Sequence, residues 1–180
     1  MMKSLSLGFA ALLALSATAW AAGDAGNNTA ASPTNHNCKK GEVWDKSKKK
    51  CVKASSGLLP DEELYQQGRA LAKLGYYDWA VDVLVLTQNQ NDPRVLNYLG
   101  YSNRKAGRLE IGISYYDKAL KIDPNYVLAR EYLGEGYVAA GKLDLAKEQL
   151  AQIEQRCGVT CEEYKDLSEA IATRNGTAIE

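Results

Sequence analysis

Two stretches of this chain, YLGYSNRKAGRLE (Tyr98–Glu110) and YLGEGYVAAGKLD (Tyr132–Asp144), match in register at a separation of 34 residues. They share Tyr, Leu and Gly, then Gly, a basic residue, Leu and an acid. Such a period constrains the fold strongly, because one unit of that size cannot bury its apolar face alone and must stack on its neighbours. It also removes a phosphate-binding reading of the glycines. A dinucleotide loop needs G-x-G-x-x-G on a turn from strand to helix. Gly134, Gly136 and Gly141 have the wrong spacing, and nothing before them alternates like a strand.

Three copies of the unit can be aligned. In the cleanest, Leu96, Leu99, Gly100, Gly107, Leu109, Tyr116, Ala119 and Pro124 stand at large, large, small, turn, large, aromatic, small and proline positions. The next has Leu133, Gly134, Tyr137, Gly141, Leu143, Ala146 and Leu150, with Arg130 at the first large position and Ile153 in place of Ala. The first offers Leu64, Gly68, Leu71, Gly75, Tyr77, Ala80 and Leu84, with Thr87 at the final small position, and reaches the next unit in 32 residues. Over about residues 61–157 this pattern resembles the tetratricopeptide repeat, from which Asn103 and Gly112 depart. The resemblance implies an all-α fold, a right-handed superhelical array of about three helix-turn-helix units (about 61–92, 93–126 and 127–158).

The residue chemistry agrees with that expectation. Small residues at Gly68, Gly100 and Gly134, and at Ala80, Gly112 and Ala146, let paired helices approach closely, while Leu and Tyr at spacings of three and four fill the seam. Gly75, Gly107 and Gly141 stand where each first helix should end, and Asp123–Pro124 closes a second helix. After the array, Thr160 with Glu163 forms a capping-box pattern ahead of Tyr164, Leu167, Ala170 and Ile171 at helical spacing. Residues 160–174 are therefore expected to form a C-terminal capping helix, which shields the apolar face of a last repeat.

The beginning of the chain reads differently. MMKSLSLGFAALLALSATAWAAG has one lysine, a short apolar run from Leu5 and small residues at Ala19 and Ala21, the layout of a cleavable secretory signal over residues 1–21. Cleavage is expected after Ala21, leaving a periplasmic or secreted chain that is not an integral membrane protein. Residues 22–37 lack periodicity and read as a disordered linker. Asn27 and Asn175 begin N-x-T sequons.

Export makes disulfides the default state of Cys38, Cys51, Cys157 and Cys161. Sequence permits three pairings, of which two local loops, Cys38 with Cys51 and Cys157 with Cys161, are the economical choice. No metal site is expected, since the only histidine, His36, lies in a polar segment and paired Cys-x-x-Cys elements are lacking. Residues 38–53 form a Cys-closed basic loop in which seven lysines face Glu42 and Asp45, for a net charge of +5. From Pro60 onward 14 basic residues face 19 acidic ones, for −5, so the overall neutrality hides two opposed regions. The loop loosely resembles one half of a chitin-binding module, which implies a glycan or an anionic envelope polymer as an alternative partner.

Chemistry is not expected of this chain. No Ser-His or Cys-His arrangement is apparent, so no catalytic residues and no cofactor are assigned, and an acidic array argues against nucleic acid. A binding scaffold is the expected role. On the first helix of each unit, spacings of 3, 4 and 3 place Glu62, Tyr65, Arg69 and Ala72, then Arg94, Asn97, Tyr101 and Arg104, then Leu128, Glu131, Glu135 and Val138 on the concave side. Tyr65, Arg69, Asn97, Tyr101, Arg104, Glu131 and Glu135 are the candidate contacts for a peptide or protein partner. Tetratricopeptide proteins that grip a C-terminal carboxylate use Lys and Asn on this face, a pattern matched in part by Arg69, Asn97 and Arg104.

Overall fold

The computed structural model describes residues 38–55 and 57–174. The expected signal, the linker, His36 and both sequons lie outside the described residues. A two-stranded antiparallel hairpin, β1 (Glu42–Asp45) and β2 (Lys50–Lys53), precedes seven helices: α1 (Asp61–Lys73), α2 (Tyr77–Leu84), α3 (Pro93–Lys105), α4 (Leu109–Ile122), α5 (Val127–Ala139), α6 (Leu143–Cys157) and α7 (Glu162–Arg174). The helices pair as α1/α2, α3/α4 and α5/α6, each pair stacking on the next, with α7 packed on α5 and α6. This is the superhelical all-α array anticipated above.

The three repeated glycines end the three first helices by one geometry. Gly75, Gly107 and Gly141 have φ of 86°, 84° and 73°, the left-handed region that glycine enters without a Cβ clash. Each donates to the carbonyl three residues back, and the next residue donates to the carbonyl five back, as in Gly75 N–H to Ala72 and Tyr76 N–H to Leu71. The chain thereby reverses into its second helix within about three residues.

Gly112, where the flanking units carry Ala80 and Ala146, also has a steric reason. A Cβ there would lie 2.9 Å from the Gly100 carbonyl oxygen and 3.0 Å from the Arg104 nitrogen, both main chain and unable to swing away. Gly112→Ala is expected to cost about 1–3 kcal/mol by forcing α3 and α4 apart, measured as a lower midpoint in urea unfolding. The other departure, Asn103, is buried. It donates to the Leu99 carbonyl and accepts from Arg108, which also pairs with Asp78 on α2.

Three local features differ from the sequence expectation. First, the Cys-closed basic loop is a β-hairpin docked on the first repeat. Its Val43 and Cys38 are buried in one core with Leu64, Leu71 and Trp79. The Gln67 side chain both accepts from the Trp44 N–H and donates to the Trp44 carbonyl, and the Trp79 indole donates to the Glu42 carbonyl. Second, α2 stops at Leu84. Thr87 lies beyond it and donates back to the Leu84 carbonyl, while Asp61 accepts the Gln88 and Asn89 N–H groups that would otherwise extend the helix. Third, α7 begins at Glu162 with the Lys165 N–H donating to the Cys161 carbonyl, which puts Cys161, not Thr160, at the N-cap position.

The cysteines pair locally, Cys38 with Cys51 and Cys157 with Cys161. No helix among the described residues is long and apolar enough to cross a membrane.

Candidate functional site

The side on which the first helices converge is defined by contacts that skip a repeat. Lys73 on α1 donates to the Tyr132 hydroxyl on α5 at 2.9 Å, bridging 59 residues over the surface of α3. α1 also contacts α3, and α3 contacts α5. α1, α3 and α5 therefore line the inner, concave wall, and α2, α4 and α6 form the outer one.

Along that wall runs a chain of tyrosine rings. Tyr65 meets Tyr98 at 6.0 Å between centroids, Tyr98 meets Tyr101 at 6.1 Å, Tyr101 meets Tyr132 at 5.1 Å, and Tyr132 meets Tyr116 at 6.2 Å, all tilted or edge-on. Such arrangements suit the ring quadrupole, with its negative face and positive edge. Cations lie over the faces: Arg94 above Tyr65 at 4.6 Å, Arg69 above Tyr98 at 5.8 Å, and Lys73 above Tyr101 and Tyr132 at 5.2 and 5.5 Å. Arg69 donates through Nε to the Tyr98 hydroxyl at 3.1 Å, which raises the guanidinium pKa. Desolvation pushes the phenols of Tyr65, Tyr101, Tyr116 and Tyr132 upward, so these four stay neutral.

The seven predicted residues divide into three groups. Arg69 and Tyr101 are accessible on the wall, and Tyr65 is buried beneath Arg94. Arg104 and Glu135 pair with each other, and Arg104 also donates to the buried Tyr116 hydroxyl. That pair ties α3 to α5. Asn97 and Glu131 are buried. Neither amide atom of Asn97 meets hydrogen-bond geometry with a partner among the described residues, although the Tyr126 hydroxyl faces it, so of the partial carboxylate-grip pattern only Arg69 is presented on the surface.

The Glu131 carboxyl makes no hydrogen bond or ion pair among the described residues. Burial is the main cause that pushes its pKa up to about 8, and the carboxylates of Glu135, Asp166 and Glu163 add to it.

Sequence reasoning missed the exposed Lys73 and the buried Tyr98 and Tyr132 that support the wall from beneath. The two tyrosines stand at one phase of the repeat, and that recurrence was the available signal. Lys73 follows Ala72, which the spacing argument had placed on the wall but which is buried.

Comparison with known proteins agrees with this geometry. Residues 93–126, spanning α3 and α4, match the tetratricopeptide repeat family model. The tetratricopeptide repeat domain-containing protein PYG7, chloroplastic, of Arabidopsis thaliana is 28% identical over 104 residues, covering 54% of this chain and 35% of the relative. This chain thus spans about a third of that protein's length. The solved structure of PcrH in complex with the chaperone binding region of PopB superposes with a TM-score of 0.53 at 23% identity, over 69% of this chain and 99% of that one. The first tetratricopeptide domain of Spaghetti (RPAP3), bound to the HSP90 peptide SRMEEVD, superposes with a TM-score of 0.54 at 19% identity, over 62% of this chain and 93% of that one. At these identities the structural likeness concerns the fold. Residues 93–126 thus match one tetratricopeptide repeat, and the fold of the array as a whole is that of the solved tetratricopeptide structures.

Proposed function

We propose that this protein is an exported, non-enzymatic scaffold that holds a peptide or protein partner on its concave face within the cell envelope. The observation that carries the reading is the half-exposed Tyr101 ring flanked by the exposed cations Arg69 and Lys73, all held in place by the buried tyrosines beneath them. An aromatic ring is a common anchor for a partner, and the cations keep unused donors. Arg69 commits only Nε, and Lys73 one of its three donors, among the described contacts. Both face outward toward carbonyl or carboxylate oxygens of an incoming chain. PcrH and the RPAP3 domain share this fold and were solved in complex with the chaperone binding region of PopB and with an HSP90 peptide, which supports the same use here. The envelope location is supported by the signal-like N-terminus and by the two paired sets of cysteines.

A partner recovered by pull-down from envelope extract should be titrated calorimetrically against variants. Lys73→Ala, Arg69→Ala and Tyr101→Ala are each expected to weaken binding by about 1–3 kcal/mol. Lys118→Ala, on the outer helix α4, is expected to change it by no more than a few tenths of a kcal/mol. Added salt should weaken binding, since the arginine and lysine contacts are screened. Arg104→Ala is unsuitable as a probe, because it strands Glu135 and the Tyr116 hydroxyl. Wild-type affinity in the triple variant would remove the concave face from the account.

One observation favours a second reading. All seven hairpin lysines are exposed on a hairpin fixed rigidly to the array, so a glycan or anionic envelope polymer would meet a preformed positive surface.

A further inference from the structure

A cavity of about 320 Å³ lies where the hairpin meets the first repeat. It is bordered by Lys40 in the turn before β1, by Gly75, Tyr76 and Tyr77 in the turn between α1 and α2, and by Ala106 at the end of α3. Three separate elements form its sides, and they are tied to one another. The Trp79 indole donates to the Glu42 carbonyl, and the Cys38–Cys51 disulfide closes the hairpin, so the backbone on either side of Lys40 is held. The cavity is therefore present before any ligand arrives, as small-molecule sites usually are.

Its lining combines aromatic rings with charge. Tyr76 packs at 6.2 Å between centroids on the buried Trp79, and Tyr77 meets Tyr101 edge-on at 6.3 Å, yet both Tyr76 and Tyr77 stay half-exposed at the cavity. Of the hairpin lysines only Lys48 forms an ion pair among the described residues, with Asp45, so the exposed Lys40 brings an uncompensated positive charge. Asp78, the acid of the lining, gives Oδ1 to Arg108 at 2.8 Å and is balanced by it, which leaves its other oxygen as an acceptor. A bare anion has no use for the aromatic rings, and an apolar side chain would leave Lys40 and Asp78 unmatched. A sugar ring that carries a carboxylate answers both. Its C–H face is electropositive and suits the negative face of an aromatic ring, its hydroxyls suit Asp78, and its carboxylate suits an ammonium group.

We propose that this cavity binds one unit of an acidic saccharide, a pyranose bearing a carboxylate, with Tyr76 and Tyr77 against its C–H face, Lys40 on the carboxylate and Asp78 on a hydroxyl. This rests on the second reading above, a glycan or anionic polymer met by the hairpin, and gives that reading a defined site and a ligand that is both glycan and anion. The remaining hairpin lysines would then attract the rest of the polymer through their field, while the cavity selects the sugar.

The test titrates trigalacturonate and its neutral methyl ester into the isotopically labelled chain, with inorganic sulfate as the bare anion, and follows amide chemical shifts. Trigalacturonate should give saturable shifts at residues 39–41, 75–79 and 105–107, with an affinity about tenfold above that of the ester, and sulfate should give none there. Lys40→Gln should erase the difference between acid and ester. Tyr76→Leu with Tyr77→Leu should abolish binding of both, and should circular dichroism show lost helicity in that double variant, Lys40→Gln decides alone. Lys48→Gln with Lys50→Gln, at the other end of the hairpin, should change neither. Equal affinities for acid and ester, sulfate shifts in the same residues, or an acid preference that survives Lys40→Gln would overturn the site. A failed trisaccharide titration alongside retention of polygalacturonate that is lost in the Lys48→Gln, Lys50→Gln variant would sink the cavity and leave the hairpin surface standing. A positive titration without retention of the polymer would support the cavity and sink the polymer surface.

Discussion

Tyr116→Ala is expected to lower the unfolding free energy by about 3–5 kcal/mol, the range for truncating a large buried aromatic side chain. Tyr116 is fully buried at the seam between α3 and α4, with its ring against Gly100, where a Cβ would come within 2.5 Å of it. Its hydroxyl accepts from Arg104 Nε at 3.2 Å, and Arg104 in turn holds Glu135 on α5. Truncation therefore opens a cavity in one repeat and loosens the tie to the next. Leu84 fills the matching position against Gly68 in the first unit, which shows that an aliphatic side chain can serve this phase. Tyr116→Leu should accordingly lose less, about 1–3 kcal/mol, through the missing hydroxyl and imperfect fit. Urea unfolding followed by far-ultraviolet circular dichroism measures both. A loss below about 1 kcal/mol for Tyr116→Ala would mean that the seam is not held by this ring.

Glu131→Gln should change the pH dependence of stability by a comparable amount. The buried carboxyl titrates at about 8 in the folded protein against 4.5 for the unperturbed group. Between those values the folded state keeps the proton and the unfolded state does not. The wild-type protein is therefore favoured at low pH and loses stability as pH rises through the window, by up to about 1.4 kcal/mol per pH unit. From pH 5 to pH 8 the total loss attributable to Glu131 is about 3–5 kcal/mol. Glutamine keeps the shape without the titration. The difference in stability between variant and wild type should thus grow in favour of the variant across that range, while contributions from Asp117, whose carboxyl is also raised by burial, cancel. Parallel curves for the two proteins would show that Glu131 is hydrated and ordinary.

The helical array was legible in the sequence because each unit repeats the same steric demands. Gly107 and Gly141 recur at 34 residues, and the backbone at both, and at Gly75, is in the left-handed conformation that predicts them. The short α2 was less legible, since its end is set by Asp61, a residue 27 positions away that captures the Gln88 N–H. The docked hairpin was hidden for the same kind of reason. Residues 42–53 alternate weakly, and what fixes them is Gln67 and Trp79 in the first repeat. Within the candidate site, helical spacing placed Arg69 and Tyr101 correctly on the wall. It could not show that Arg104 and Glu135 satisfy each other, because the alignment of residues 31 positions apart depends on superhelical curvature. The same curvature brings Lys73 to Tyr132. Contacts between units are therefore what the linear pattern left unread.

The central claim, that the concave wall holds the partner, is tested most directly by site-specific photo-crosslinking. A photoreactive residue would replace Arg69 on the wall, Lys118 on the outer helix α4, or Lys48 on the hairpin, each in the full chain, and envelope extract would be irradiated with each. The account predicts a discrete protein adduct from position 69 and none from position 118 or 48. Adducts from position 118 or 48 with none from 69 would contradict it and move the binding surface off the concave wall.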